Sequence, residues 1–202
     1  MPVERTIYVV DDDEAARDGL AFLLRAHGYA VATFASPVTF LGSVVDLPPG
    51  CVITDVRMPE MNGIELLEAL TGLTGNWPTI VVTGHGDAGV ALEALRAGAV
   101  DLLEKPYGQE ALLSAVRQAL ATAQEREAAR RIEHDRLTGL LETLTPLERD
   151  VLDGLTTGCT GNTIAAGGGL TSRAVATLQA SVVAKMRANS AAHLVRMLFR
   201  LG

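Results

Sequence analysis

Four short apolar runs in the first half of the chain each end in a polar, reactive residue, and this repetition constrains the fold most. Ile7-Tyr8-Val9-Val10 runs into Asp11-Asp12-Asp13, and Cys51-Val52-Ile53-Thr54 into Asp55. Thr79-Ile80-Val81-Val82 runs into Thr83, and Val100 to Leu103 into Glu104-Lys105-Pro106. Between the runs, apolar residues recur at helical spacing over 15–25, 37–45, 64–70, 90–97 and 110–123, and a weaker strand fits 30–34. Unbroken apolar runs are the mark of strands buried on both faces. Strands alternating with helices predict a parallel sheet covered by helices on both sides. Residues 1–123 therefore read as an α/β domain, a doubly wound sheet of five βα repeats.

In an open α/β sheet, ligands bind at the carboxyl ends of the strands, near the point where strand order reverses. That edge would gather Asp11, Asp12, Asp55, Thr83 and Lys105. Three carboxylates in one place repel unless a cation joins them, and Mg²⁺ takes a few carboxylates, a carbonyl and waters. Such a metal prepares a carboxylate to accept a phosphoryl group. A Lys and a Thr hydroxyl would hold the remaining phosphate oxygens. An aspartate nucleophile gives an acyl phosphate. Taken singly, each element has a plainer meaning: the acids could cap the next helix, Lys105-Pro106 could be a surface turn, and Thr83 a strand end. Their coincidence at successive strand ends points to one site.

The formal charge of −7 is unevenly spread: residues 1–142 carry −10 and residues 143–202 carry +3. Such a division hints at two tasks on one chain, with a polyanion as a candidate partner of the tail. Two cysteines some hundred residues apart make neither a disulfide framework nor a metal cluster, which suits a reduced cytoplasm. No run of about 18 apolar residues predicts a membrane span, and the first residues lack the pattern of a secretory signal. Residues 124–142 are rich in both charges and read as a helical linker. From Thr145 the pattern is helical only. Thr145-Pro146-Leu147-Glu148 is a capping box, helices fit 146–157, 162–166, 172–187 and 190–200, and Ser172 and Ser190 are candidate N-caps.

Val9 to Glu14, Thr54 to Pro59, Val82-Thr83-Gly84-His85-Gly86 and Glu104-Lys105-Pro106 resemble the signature set of receiver domains of two-component response regulators. Thr83 to Gly86 and Ala97 to Asp101 resemble the FixJ branch. The resemblance spans residues 4–123 and implies a flavodoxin-like fold. It implies Asp55 as phosphoacceptor, charged by a cognate histidine kinase. Asp11, Asp12, Asp55 and the carbonyl of Arg57 would hold Mg²⁺, Thr83 and Lys105 would bind the phosphoryl group, and Lys105–Pro106 would be cis. Leu102 stands where such domains commonly carry a Phe or Tyr that reports phosphorylation.

Residues 143–202, with Leu144 to Leu152, Thr163-Ile164-Ala165, Val182 to Met186 and Ser190 to Leu198, resemble the LuxR/GerE-type helix-turn-helix. That likeness implies four helices, with 172–187 in the major groove and the last often dimerising, hence a phosphorylation-dependent homodimer. Yet Asn162 replaces a usual basic residue, and 174–184 holds no charge. Affinity for DNA comes largely from Lys and Arg on phosphates, and base reading from donors and acceptors. Candidate contacts reduce to Arg173, Thr177, Gln179 and Lys185, beside Ser181 and Arg187. Gly167-Gly168-Gly169 predicts a loose turn, since glycine costs a helix ~1 kcal/mol relative to Ala. Two functions follow as expectations. One is a phosphorylation-activated transcription regulator. The other is a phosphorylation-gated interaction or phosphate-sink protein with a weak DNA module. An independent enzyme is disfavoured by the lack of a phosphate-binding glycine loop.

Overall fold

The computed structural model describes residues 6–73, 77–84 and 88–198. Contacts divide the chain into two compact units, residues 1–127 and 128–202.

The first unit alternates as its apolar runs require: β1 (Ile7–Val10), α1 (Glu14–Ala26), β2 (Val31–Phe34), α2 (Pro37–Ser43), β3 (Cys51–Asp55), α3 (Gly63–Thr71), β4 (Thr79–Thr83), α4 (Ala88–Ala97), β5 (Asp101–Glu104) and the first part of α5 (Gln109–Glu142), whose remainder belongs to the second unit. The five strands form one parallel sheet in the order β2-β1-β3-β4-β5. Strand order reverses between β1 and β3, so Asp11, just past β1, and Asp55, the last residue of β3, flank the switch point. The register pairs Val10 with Thr54, Asp55 with Val82, and Thr83 with Glu104. It thus sets the ends of four strands at one level.

Alternate residues along the strands serve two cores. Ile7, Val9, Cys51, Ile53, Ile80 and Val82 pack with Leu20 and Leu24 of α1 and Leu112, Val116 and Ala119 of α5. Tyr8, Val10 and Val52 face the other way, against Phe40, Leu66, Leu70 and Trp77. Val81 joins Ile64, Leu67 and Ala94, and half-buried Leu102 packs on that group. Each large side chain fully buried here contributes about 1.5–3 kcal/mol. The cores give the strand ends a rigid base.

The second unit contains α6 (Pro146–Thr156), α7 (Gly161–Gly168), α8 (Ser172–Lys185) and α9 (Ala191–Leu198). Its core joins Leu144, Leu152, Val182, Met186, Leu194 and Met197 to Leu137, with Leu140 and Leu141 half-buried beside them. Residues 124–142, read above as a linker, lie wholly within α5, and the leucines near their end belong to this core. These leucines sit three and four apart, so they share a helix face, a signal submerged among flanking charges.

α6 opens with the expected capping box: the Thr145 hydroxyl accepts from Glu148 N–H, and the Glu148 carboxylate accepts from Thr145 N–H. The glycine run departs from expectation. α7 continues to Gly168, and only Gly169 (φ +63°) takes the left-handed conformation that closes it. The Gly169 and Leu170 N–H groups both reach the Ala165 carbonyl. The turn is therefore an ordinary glycine cap rather than a loose one. α8 is capped by Thr171, whose hydroxyl accepts from Ala174 N–H. Ser172, the expected cap, instead donates to Asn162 Oδ1 at 3.0 Å. Ser190 does accept from His193 N–H ahead of α9. Residues 199 and 200, the end of the last expected helix, lie outside the described residues.

Candidate functional site

Asp11, Asp55 and Lys105 meet at the carboxyl edge of the sheet. Lys105 Nζ lies 2.7 Å from Asp55 Oδ1 and 3.1 Å from Asp11 Oδ2. Asp55 Oδ2 accepts from the Arg57 N–H at 2.7 Å, and Asp11 Oδ1 from the Asp13 N–H at 2.9 Å. Asp13 also caps α1, accepting from Ala16 N–H, so the plain capping role belongs to the third acid of the run. Thr83 is buried at the end of β4, and its carbonyl accepts from the Lys105 N–H at 2.7 Å. The Lys105–Pro106 bond is cis. His85 and Gly86 lie outside the described residues.

Burial raises the Asp11 pKa above the ordinary carboxylate value, against the pull of Lys105. At Lys105 burial opposes the charge, but the bonds to Asp55 and Asp11 outweigh it and raise the pKa to about 12. The ammonium stays charged at any physiological pH. Asp12 is exposed and lines a cleft of about 590 Å³ with Arg57, Met58, Asn62, Val90 and Glu93. Among the described residues, no three acidic, His or Cys side chains already enclose a metal position. The donors beside Lys105 are nonetheless the hard oxygens a small divalent cation requires.

In the second unit, α7, the turn at 169–171 and α8 make a helix-turn-helix. Beyond Ser172 at its start, the exposed residues of α8 are Arg173, Ala176, Thr177, Ala180 and Ala184, with Arg187 just past its end, a single helical stripe. Between the two arginines the stripe is alanine and one threonine, whose hydroxyl donates to the Arg173 carbonyl. Gln179 is half-buried, its amide nitrogen 3.7 Å from where a Cβ on Gly161 would stand. Lys185, a candidate DNA contact, is engaged within its own domain. Its ammonium lies 2.7 Å from Glu148 Oε2 and donates to the Thr143 carbonyl. Ser181 likewise donates to Glu148 Oε1 at 2.7 Å. Glu148 is itself buried; the bonds from Lys185, Ser181 and Thr145 lower its pKa to about 2. The Lys185 ammonium is thus already paired, while 35% of the side chain stays exposed.

Residues 7–117 match the family described as response regulator receiver domain, and residues 142–198 match the bacterial regulatory proteins of the luxR family. The transcriptional regulatory protein FixJ of Azorhizobium caulinodans is 42% identical over the whole chain and 95% of its own length. The chain belongs to the FixJ-type response regulators. Full-length FixJ from B. japonicum matches at 39% identity and a TM-score of 0.59, covering 98% of both chains. The response regulator StyR matches at 37% and 0.64, covering 98% of this chain and all of the other. As a response regulator, the chain is a transcription factor rather than an enzyme in the usual sense, built from a receiver and a LuxR-type helix-turn-helix. Among the described residues no helix is long and apolar enough to cross a membrane.

Two parts of this regulator escaped the sequence reading. Gly63 starts α3 where a Cβ would collide with the Asp55 carbonyl oxygen; a glycine just after a helix-capping Asn is its faint signal. Glu148 had already been explained locally as a capping residue, so nothing pointed from it to Lys185.

Proposed function

We propose that Asp55 accepts a phosphoryl group from a histidine kinase and that the charged protein engages promoter DNA through its helix-turn-helix. The observation that carries this reading is Lys105, whose ammonium bridges the carboxylates of Asp11 and Asp55. An Asp55 carboxylate oxygen attacks phosphorus as the P–N bond to the kinase histidine breaks, and the imidazole nitrogen keeps the electron pair. Lys105 exchanges its bond to Asp55 for one to a phosphoryl oxygen, and the Thr83 hydroxyl donates to another. The donor set fits Mg²⁺: Asp11, Asp12, Asp55 and the Arg57 carbonyl would hold it, and it supplies charge neutralisation at the phosphoryl oxygens. Phosphorylation favours a homodimer, which gives the DNA module two half-sites. The work is cytoplasmic, where kinase output and chromosome meet.

A second reading has one observation in its favour. The outward stripe of α8 is nearly all alanine, which suits a phosphorylation-gated interaction or phosphate-sink protein that holds DNA weakly. Footprinting of genomic promoter fragments with the wild type and Asp55→Asn, each with and without phosphodonor, separates the two. The first reading expects a discrete footprint that phosphorylation strengthens and that Asp55→Asn fails to gain. Uniform, sequence-independent retention at low salt, unchanged by phosphorylation, would favour the second.

A further inference from the structure

The acidic loop after β1 is pinned by a side chain that is not itself acidic. Nη1 of Arg17, on the second turn of α1, donates to the carbonyl oxygen of Asp11 at 2.8 Å. That carbonyl belongs to the planar peptide unit joining Asp11 to Asp12. Fastening it fixes ψ of Asp11 and φ of Asp12, and so the direction in which the Asp12 side chain leaves the backbone. The loop is anchored on either side as well. Asp11 N–H donates to the Phe34 carbonyl at 3.2 Å, and Asp13 serves both as donor to Asp11 Oδ1 and as cap of α1. Asp12 is the exposed residue between these anchors. Without Arg17 the Asp11 carbonyl would lose this bond, and the orientation of Asp12 would rest on the anchors to either side alone.

We propose that Arg17 is a positioning residue for the divalent-cation site, presenting Asp12 alongside Asp11. The inference rests on the reading of Asp11, Asp12 and Asp55 as cation ligands. Arg17 donates to a backbone carbonyl and acts on the cation only through the acids it orients. Outer partners of metal ligands typically set affinity by 10–100-fold.

Mn²⁺ binding to the full-length chain, followed by electron paramagnetic resonance, tests this in the wild type, Asp12→Asn, Arg17→Met and Arg17→Lys. In parallel, the rate of phosphorylation by a small acyl phosphate is measured against Mg²⁺ concentration. Arg17→Met is expected to weaken Mn²⁺ binding by about 10-fold. The Mg²⁺ needed for half-maximal rate should rise in step, with little change in the rate at saturation. Arg17→Lys, whose ammonium can still donate to the carbonyl, should recover part of the loss. Unchanged Mn²⁺ affinity in Arg17→Met, or a lower saturating rate with unchanged affinity, overturns the inference. If Arg17→Met does not melt cooperatively without metal, Arg17→Ala takes its place: native melting with wild-type affinity counts against the proposal, and native melting with reduced affinity supports it. Equal Mn²⁺ binding by the wild type and Asp12→Asn would instead sink the assignment of the acids as ligands.

Discussion

A side chain on Gly63 would meet the carbonyl oxygen of Asp55, which belongs to the backbone and cannot swing aside. Gly63→Ala is therefore expected to destabilise the receiver by about 1–3 kcal/mol, the usual cost of overpacking, and to slow phosphorylation of Asp55 beyond what the stability loss explains. Urea denaturation and phosphorylation rates on the same sample check both parts. Arg187 is the opposite case. It holds φ at +54°, a conformation glycine adopts freely, at the end of α8. Arg187→Gly should stabilise the chain by about 1 kcal/mol while weakening DNA binding, because the cation at that end of the stripe is lost. Thermal melting and salt-dependent gel shifts measure the two effects, and a gain in both would contradict the role given to Arg187. Asp55 and Lys105 were legible at this scale because each stands at the end of an apolar run that marks a strand. Gly63 and Arg187 were not, because close approach and a positive φ depend on chain geometry that residue type alone does not reveal.

Among the elements, α6 and α8 are tied by Glu148, with Ser181 and Lys185 on its two oxygens. Its folded-state pKa of about 2 lies below the ordinary 4.5. The stability it brings is therefore complete above about pH 4.5 and is lost as pH falls toward 2. Glu148→Gln should flatten the acid dependence of unfolding of the C-terminal unit in that window, as followed by circular dichroism. An acid profile identical to the wild type would refute this linkage. The same contact pairs Lys185 with Glu148, so on the proposed reading Arg173 and Arg187 of the exposed stripe would carry the phosphate contacts. With about two phosphates neutralised per protomer, log K should fall against log salt with a slope near −2 per protomer. A much steeper slope would mean that cations outside α8 carry the binding. Helix positions and the capping box could be read from spacing and cap chemistry. The fate of Lys185 could not, since it depends on packing between residues far apart in sequence.

At the scale of the whole chain, the division between two units of opposite charge balance falls within the residues of α5. The alternation of apolar runs announced the first unit's sheet and its switch point. The end of α5 was harder to place, because its leucines serve the second core from within a charged stretch that resembles a solvated linker. The acidic receiver half repels DNA at long range, so the positive work of binding falls on few cations. On the reading proposed above, phosphorylation would act through the change at Asp55 and the assembly that follows. Everything downstream depends on where the phosphoryl group is carried. The direct measurement is borohydride reduction of the chain phosphorylated in Mg²⁺, followed by peptide sequencing by mass spectrometry, which converts a phosphorylated aspartate to homoserine. Homoserine at position 55, absent when Lys105→Ala is treated identically, is the result predicted here. Homoserine at another acid, or none in a sample that has taken up phosphate, would contradict the account.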